Sequence, residues 1–368
     1  MALQDEILKQ SAQIKTDSYQ MSIGELLNLY RDNELDVHPE FQRVFRWSDT
    51  QKTRLIESIL LGIPIPPIFV AQRTDGVWDV VDGVQRLSTI FQFVGELKDE
   101  QGGKVEPLVL EKTKFLPSLE GYTWSGIKPF GKEHQLYIKR AKIDVNIVLK
   151  ESDEKSKYEL FMRLNTGGSA ITAREVRNCL MVMAYPEAYE WIKSLSETPD
   201  FTAATSLSEN DQQEQYPMEL VTRFLTFRKL PEPDLSDVAD IGDYLNDALE
   251  LIHLMARNKK KRETEEKAFR ETFRLLNATL HEDAFRRFDK NKSRFLGPFS
   301  IACFEVVAMG IGSNIAADGS LPIPETDIAN KVKSLWENTV FNKNSGSGVR
   351  ASVRIPKIIP MGRTLFAK

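Results

Sequence analysis

The residues best suited to chemistry stand in one short run, Asp82-Gly83-Val84-Gln85-Arg86. Two valines before it predict a buried strand that ends at the aspartate, and a helix is predicted directly after the glycine. Gly83 lets the backbone turn sharply or approach a ligand closely. Gln85 and Arg86 fall in the first helical turn, where free N–H groups and the helix dipole favour an anion. A carboxylate, an amide and a guanidinium at such a turn predict a nucleotide or phosphate site.

The same run has a purely structural interpretation. Asp82 would then cap the helix, and Arg86 would pair with a surface carboxylate. Short motifs have a high false-positive rate, so both interpretations stay open on these residues alone.

Two further polar clusters are candidates for the same site. One is the turn Arg163-Leu-Asn165-Thr-Gly167-Gly168-Ser169, followed by Arg177 and Asn178; the other contains Arg43 and Arg46. The first is equally consistent with a helix C-cap and a loop, and the second with solvated arginines beside a core tryptophan. If the clusters are functional, their arginines, amide and glycines are suited to phosphate binding.

Several local signals predict the elements that must position these residues. Sequences with the form of capping boxes begin at Ser22, Ser48 and Thr172 and predict helix starts. Gly62 and Pro64 end the second of these helices. Apolar runs on either side of Thr74-Asp75-Gly76 predict a hairpin. The remaining predictions for this half are a helix over residues 84–97, an irregular excursion over 99–135, a strand over 141–149 and a short helix over 153–164.

The second half has helical periodicity. The predicted helices cover residues 186–196, 218–230, 238–256, 264–280 and 299–310. We therefore expect an α+β protein with a mixed α/β domain over residues 1–185 and a mainly helical domain over residues 186–368. The tail after Phe341 contains basic residues and no acidic ones.

Composition narrows the class of protein. The chain has 368 residues, a formal net charge of −4 and two cysteines, which predicts a globular protein of a reducing compartment. It shows no signal-peptide pattern and no apolar run of about 18 residues, so we expect a cytoplasmic protein without a membrane partner. The sequence contains no P-loop, HExxH, GxSxG or zinc-spaced Cys/His motif.

The clusters occur in an order that resembles the N-terminal domain of GmrSD-type restriction endonucleases. The resemblance covers about residues 20–185 and rests on the runs Phe41-Gln-Arg43, Arg46-Trp47, Leu55–Leu60, Pro64–Pro67, Val81–Leu87, Phe161–Gly168 and Glu175–Asn178. It implies a ParB/sulfiredoxin-like fold that binds a nucleotide through a strand–turn–helix element. The family hallmark is DGQQR, and Val84 replaces its first glutamine here.

The resemblance implies a nucleoside triphosphatase of a bacterial anti-phage system that restricts modified DNA. In such a site Asp82 would orient the phosphate or the ribose, and Gln85 would position the attacking water. Arg86 would bind phosphate. Arg43 and residues 165–168 would close the pocket. Mg²⁺ is the expected cofactor, with its ligands unassigned. The chain shows no HNH-type histidine pattern, so a separate nuclease subunit is an expected partner.

Two other functions are compatible with parts of the sequence. A DNA-binding or regulatory module without catalysis is suggested by the basic stretch over residues 257–262 and by the basic tail. A solvated helix face is the commoner meaning of such charge runs. A sulfiredoxin-like redox enzyme would need a reactive cysteine, whereas Cys179 stands among apolar residues typical of a packed core thiol.

Overall fold

The computed structural model describes residues 15–37, 47–99, 101–149, 174, 177, 178, 181, 185–213, 215–346 and 348–367. The chain forms two compact units, residues 1–171 and 172–368. The first unit is mixed α/β and the second is mainly helical. This confirms the coarse fold class predicted from the sequence. The helix predicted over residues 153–164 and the capping residue Thr172 lie outside the described residues.

A mixed sheet, five-stranded in the described residues, forms the centre of the first unit. Its strands are β1 (Thr16–Ser22), β2 (Leu35–Asp36), β3 (Ile68–Gln72), β4 (Trp78–Asp82) and β5 (Lys142–Val148), in the order β1-β5-β3-β4-β2. β3 and β4 form the predicted antiparallel hairpin, and β3 pairs with β5 in parallel. The hairpin register shifts between Phe69 and Val70, since these residues face Asp82 and Val80. Val81 is therefore an extra residue in β4, a bulge directly before the aspartate.

Four α-helices of the described ranges accompany this sheet, and local sequence signals account for three of them. They are α1 (Ile23–Arg31), α2 (Asp49–Leu60), α3 (Val84–Val94) and α4 (Lys132–Arg140). Ser22 caps α1, and Ser48 forms the predicted reciprocal capping box of α2 with Gln51. α3 ends three residues earlier than predicted, because Gly95 adopts the left-handed conformation at its C-terminus.

Two elements of the first unit contradict the sequence prediction. α4 begins inside the segment predicted to be irregular, and of its nine residues only Ile138 is buried, so it has no apolar periodicity to detect. β1 precedes the first predicted helix, and its first five residues are exposed. An edge strand of this kind is stabilised by pairing with β5, which lies far along the chain, so a local pattern does not reveal it.

The described part of the second unit consists of helices and one short hairpin. The helices are α5 (Pro186–Ser196), α6 (Pro199–Thr205), α7 (Glu209–Gln213), α8 (Tyr216–Phe227), α9 (Glu232–Leu235), α10 (Ile241–Arg257), α11 (Lys259–Leu280), α12 (Ile301–Asn314), α13 (Glu325–Leu335), α14 (Thr339–Asn344) and α15 (Ala351–Leu365), and the hairpin pairs β6 (Arg287–Asp289) with β7 (Arg294–Leu296). All five predicted helices are present, with boundaries shifted by up to five residues. The core is rich in phenylalanine, including Phe224, Phe269 and Phe273.

Candidate functional site

The Asp82–Arg86 run forms the predicted strand–turn–helix. β4 ends at Asp82, Gly83 is the N-cap, and α3 begins at Val84. Gly83 has φ 99° and ψ 8°, and a Cβ at this position would lie 2.5 Å from Cγ2 of Ile68. Backbone conformation and close packing against β3 therefore both require glycine here.

The first turn of α3 has no side-chain cap, because its N-cap residue is a glycine. The backbone N–H groups of such a turn are directed away from the helix and suit an external acceptor, and the helix dipole adds positive potential. The strand–turn–helix predicted from the sequence is present, and anion binding at this turn stays a prediction.

Arg86 adds a guanidinium to this helix end. Its Nη2 donates to Asp82 Oδ2 at 2.7 Å and to the backbone carbonyl of Pro67 at 3.2 Å. The Arg86 side chain is 14% exposed and that of Asp82 33% exposed. The Arg86 Nε is buried, and no described residue accepts a hydrogen bond from it. The ion pair therefore fixes the arginine, while one donor is left for an acceptor outside the described residues.

Gln85 is held by a backbone group. Its Oε1 accepts a hydrogen bond from the amide of Trp47 at 3.2 Å. Trp47 immediately follows Arg46 in sequence, so this bond ties the chain after the Arg43–Arg46 cluster to the first turn of α3. With Oε1 engaged, the side-chain NH₂ of Gln85 is the group that can donate to a ligand or water.

Val84 is almost completely buried, at 9% exposure. A β-branched apolar side chain in this environment contributes packing and no polar group. Two hydroxyls further along the same helix, Ser88 Oγ and Thr89 Oγ1, are buried, and neither has a hydrogen-bond partner among the described residues. The beginning of α3 thus carries more buried polar atoms than its described surroundings satisfy.

Six of the predicted site residues lie outside the described residues: Arg43, Arg46, Arg163, Asn165, Gly167 and Gly168. Cys179 lies outside them as well. The structure therefore brings together Asp82, Gly83, Gln85 and Arg86 from the predicted set.

Arg177 and Asn178 lie in the second unit. Arg177 is 2% exposed, and it contacts Glu219 Oε2 and the carbonyl of Gly242, both at 3.4 Å. Asn178 donates to Gln215 Oε1 at 2.6 Å. Both side chains are engaged in the packing of the helical unit.

Glu219 is a residue that sequence reasoning missed. It accepts hydrogen bonds from Arg174 at 3.0 Å, from Arg177 at 3.4 Å and from Arg223 at 2.6 Å. Burial alone would raise the pKa of Glu219, but the surrounding arginine charges outweigh it and lower the pKa below its usual value. Arg223 is an i,i+4 neighbour on the same helix, whereas Arg174 and Arg177 lie 45 and 42 positions away in sequence, so position 219 gives a local signal for only one of these partners.

Two neighbouring cavities open on the first unit, and neither is lined by residues of the Asp82–Arg86 turn. One has a volume of about 540 Å³ and the other about 380 Å³, and they share Glu133 and Tyr137. Within the described ranges, no group of three or more His, Cys, Asp or Glu side chains is arranged to hold a metal ion. Among the helices of the same ranges, none is both long and apolar enough to cross a bilayer.

These features define a mixed α/β unit that contains a strand–turn–helix with an uncapped helix N-terminus, followed along the chain by a helical unit. A family model described as the GmrSD restriction endonuclease, N-terminal domain, matches residues 23–182. Residues 23–182 are therefore similar to a domain of restriction systems, and this match supports the resemblance noted from the sequence motifs. Comparisons with curated proteins and with solved structures return no match.

Proposed function

We propose that the N-terminal domain binds a nucleoside triphosphate at the turn between β4 and α3. The observation that carries the proposal is the position of Arg86, fixed by Asp82 and Pro67 at an uncapped helix N-terminus with its Nε lacking an acceptor among the described residues. Arg86 Nε and the first-turn amides together suit the oxygens of a phosphate chain.

The proposed reaction is hydrolysis of the nucleotide. Gln85 would position the attacking water through its NH₂ or, after release of Trp47, through its carbonyl oxygen. Asp82 would orient the phosphate or ribose. It also offers one carboxylate for Mg²⁺, which suffices where the nucleotide phosphates and water supply most of the ligands. The bound ion would neutralise phosphate charge.

The remaining predicted ligands come from the family resemblance. We propose that Arg43, Arg46, Arg163, Asn165, Gly167 and Gly168 complete the nucleotide pocket, and that the domain has a ParB/sulfiredoxin-like fold. Direct contacts of Arg177 and Asn178 with the nucleotide stay predictions, and such contacts would require these residues to exchange their present partners.

At the level of the organism, we propose an anti-phage restriction component that recognises modified DNA and couples nucleotide turnover to a separate HNH-type nuclease. Its support is the match of the family model to residues 23–182.

The decisive experiment measures binding of ATP, GTP, CTP and UTP with Mg²⁺ by calorimetry, in the wild type and in Arg86→Ala. We expect one or more nucleotides to bind and the variant to lose at least about a hundredfold in affinity, because a charge-assisted phosphate contact disappears. Arg54→Ala is the matched control, since Arg54 is an exposed arginine of the same unit. Failure of all four nucleotides to bind the wild type at millimolar concentration would disprove the proposal.

A second candidate is a DNA-binding regulatory module that uses the nucleotide only as a switch. Two observations favour it: Val84 is a buried apolar residue where the family hallmark has glutamine, and Arg257, Lys259, Lys260 and Lys261 are exposed. Phosphate-release assays with and without modified DNA separate the candidates. Nucleotide binding without turnover, together with DNA affinity that falls steeply with salt, would favour the switch.

A further inference from the structure

The two cavities of the first unit form one continuous cleft, here called the Tyr137 cleft. Its walls are the end of α2 with the following loop, which includes Leu61 and Ile63, one side of α4, and, at the smaller cavity, the segment that contains Leu116 and Phe130. Tyr137 and Glu133 line both cavities, so the tyrosine stands between a larger and a smaller depression.

Four large apolar side chains of the cleft are partly exposed to solvent. Leu61, Ile63, Leu136 and Tyr137 are 43%, 47%, 38% and 49% exposed, respectively. Single exposed apolar residues are ordinary, but a contiguous group around a depression marks an interaction surface. An aromatic ring between two depressions suits two apolar side chains of a partner, one on each side.

The borders of the cleft are positively charged. Arg140 and Lys142 line the larger cavity; both are exposed, and neither forms a salt bridge with any described residue. Glu133 is the single acidic residue of α4. A partner for this surface therefore combines apolar anchors with acidic residues.

The outer face of α10 has this chemistry. Asp243, Asp247, Glu250, Leu251 and Leu254 are all exposed, and Leu251 and Leu254 are 55% and 56% exposed. At about 100° per residue these five side chains occupy one stripe, about 16 Å long. The two leucines are three residues apart and thus neighbours on the helix surface, with the acidic residues toward its N-terminus.

We propose that the Tyr137 cleft receives the outer face of α10 from a second copy of this chain. Leu251 and Leu254 enter the two depressions beside Tyr137, and Asp243, Asp247 and Glu250 face Arg140 and Lys142. The cleft and the α10 face are different surfaces of the chain, so the contact between the two copies is heterologous.

The first test is the mass of the full chain in solution, measured by sedimentation velocity over a range of concentrations. We expect a monomer–dimer equilibrium. Leu254→Asp should weaken dimerisation at least about tenfold, since it removes an apolar anchor and places a charge in an apolar depression. Val353→Asp is the matched control: Val353 is a similarly exposed apolar residue of the same unit, outside α10.

Charge exchange tests the pairing itself. Arg140→Glu should weaken dimerisation, and adding Glu250→Lys to the same chain should restore at least part of it, because both variants act on the same ionic contact. A monomeric wild type at all concentrations overturns the proposal. A dimer equally tolerant of Leu254→Asp and Val353→Asp overturns it as well.

Cross-linking identifies the occupant. Two differently tagged single variants, Tyr137→Cys and Leu254→Cys, are mixed and treated with a short bis-maleimide, with the wild type reporting the background from its native cysteines. We expect a cross-linked species that contains both tags. If cross-links form only between two copies of the same variant, and no species contains both tags, the cleft has a different occupant and the proposal is refuted.

Discussion

Arg86 Nη2 lies 2.7 Å from Asp82 Oδ2, and the left-handed Gly83 stands between the two residues in the chain. The pair joins the last residue of a strand to the first turn of the next helix. The pair holds the Arg86 guanidinium at the N-terminus of α3, where the helix dipole is also positive. The Asp82 carboxylate stabilises this arrangement when no other anion is bound.

Arg86→Lys is predicted to retain part of the nucleotide affinity that Arg86→Ala loses. Lysine keeps the positive charge but has a single nitrogen, so it cannot hold Asp82 and Pro67 through one nitrogen, as Arg86 Nη2 does, while a second nitrogen such as Nε donates to phosphate. We expect affinity about tenfold below the wild type, measured by the same calorimetry. Equal affinity in the lysine and alanine variants would contradict a contribution of charge.

Gly83→Ala is predicted to destabilise the first unit by about 2–4 kcal/mol, through left-handed strain and the clash with Ile68. Gly76→Ala separates these causes, because Gly76 has a similar φ of 94° but nothing lies within 4 Å of the place that a Cβ would occupy. The control should lose only about 1–2 kcal/mol. Urea unfolding measures both, and equal losses would show that packing against Ile68 is unimportant.

Val84→Gln restores the family hallmark and is predicted to raise the rate of phosphate release without tightening nucleotide binding. The added amide can contact water or phosphate, whereas the wild-type valine is buried and apolar. Val84→Met controls for side-chain length without the amide. If both variants keep the wild-type rate, position 84 does not limit hydrolysis.

Glu305→Gln is predicted to destabilise the helical unit by about 3–5 kcal/mol. Glu305 is completely buried and accepts from Arg223 at 2.9 Å and from Arg354 at 2.6 Å, so the variant removes a countercharge from both guanidiniums, of which Arg223 keeps its ion pair with Glu219. Glu271→Gln, which removes the surface partner of Arg274, should cost less than about 1 kcal/mol. Thermal unfolding compares them; a similar loss in both would contradict the role of burial.

Acid is predicted to destabilise the second unit through Glu219. Its pKa is lower in the folded state than in the unfolded chain, because the arginine charges outweigh the effect of burial. The stabilisation is therefore complete above the unfolded-state pKa, about 4.3, and is lost as pH falls through the lower folded-state pKa. Unfolding measured from pH 6 to pH 3 should show a shallower loss in Glu219→Gln, and an unchanged slope would exclude this carboxylate as a source of acid sensitivity.

Local sequence determined the elements around the candidate site. The Ser48–Gln51 capping box, the Gly62 and Pro64 breaks and the Asp75-Gly76 turn act over a few residues, so they could be predicted without tertiary contacts. The strand–turn–helix at Asp82–Arg86 is of the same kind, because an apolar run, a glycine and a helical period follow each other directly.

Tertiary structure decided which groups meet these elements. The carbonyl of Pro67 and the amide of Trp47 are backbone partners of Arg86 and Gln85, and residue type does not encode them. Glu219 receives Arg174 and Arg177 from distant positions in the same way. Contacts of this kind depend on packing between segments remote in sequence.

The C-terminal helix α15 shows the same division. Pro356 and Pro360 stand inside it, and each removes a backbone donor, so local propensity argues against a helix. Ile355, Ile358 and Ile359 are nevertheless completely buried, and Gly310 of α12 lies so close to Gly362 that a Cβ would stand 2.5 Å from its carbonyl oxygen. Short-range signals in the sequence determined the turns and caps of this protein. In α15 long-range packing overrode helix propensity, because burial outweighs a local preference of about 3 kcal/mol per proline. Long-range packing also selected the partners of the candidate site.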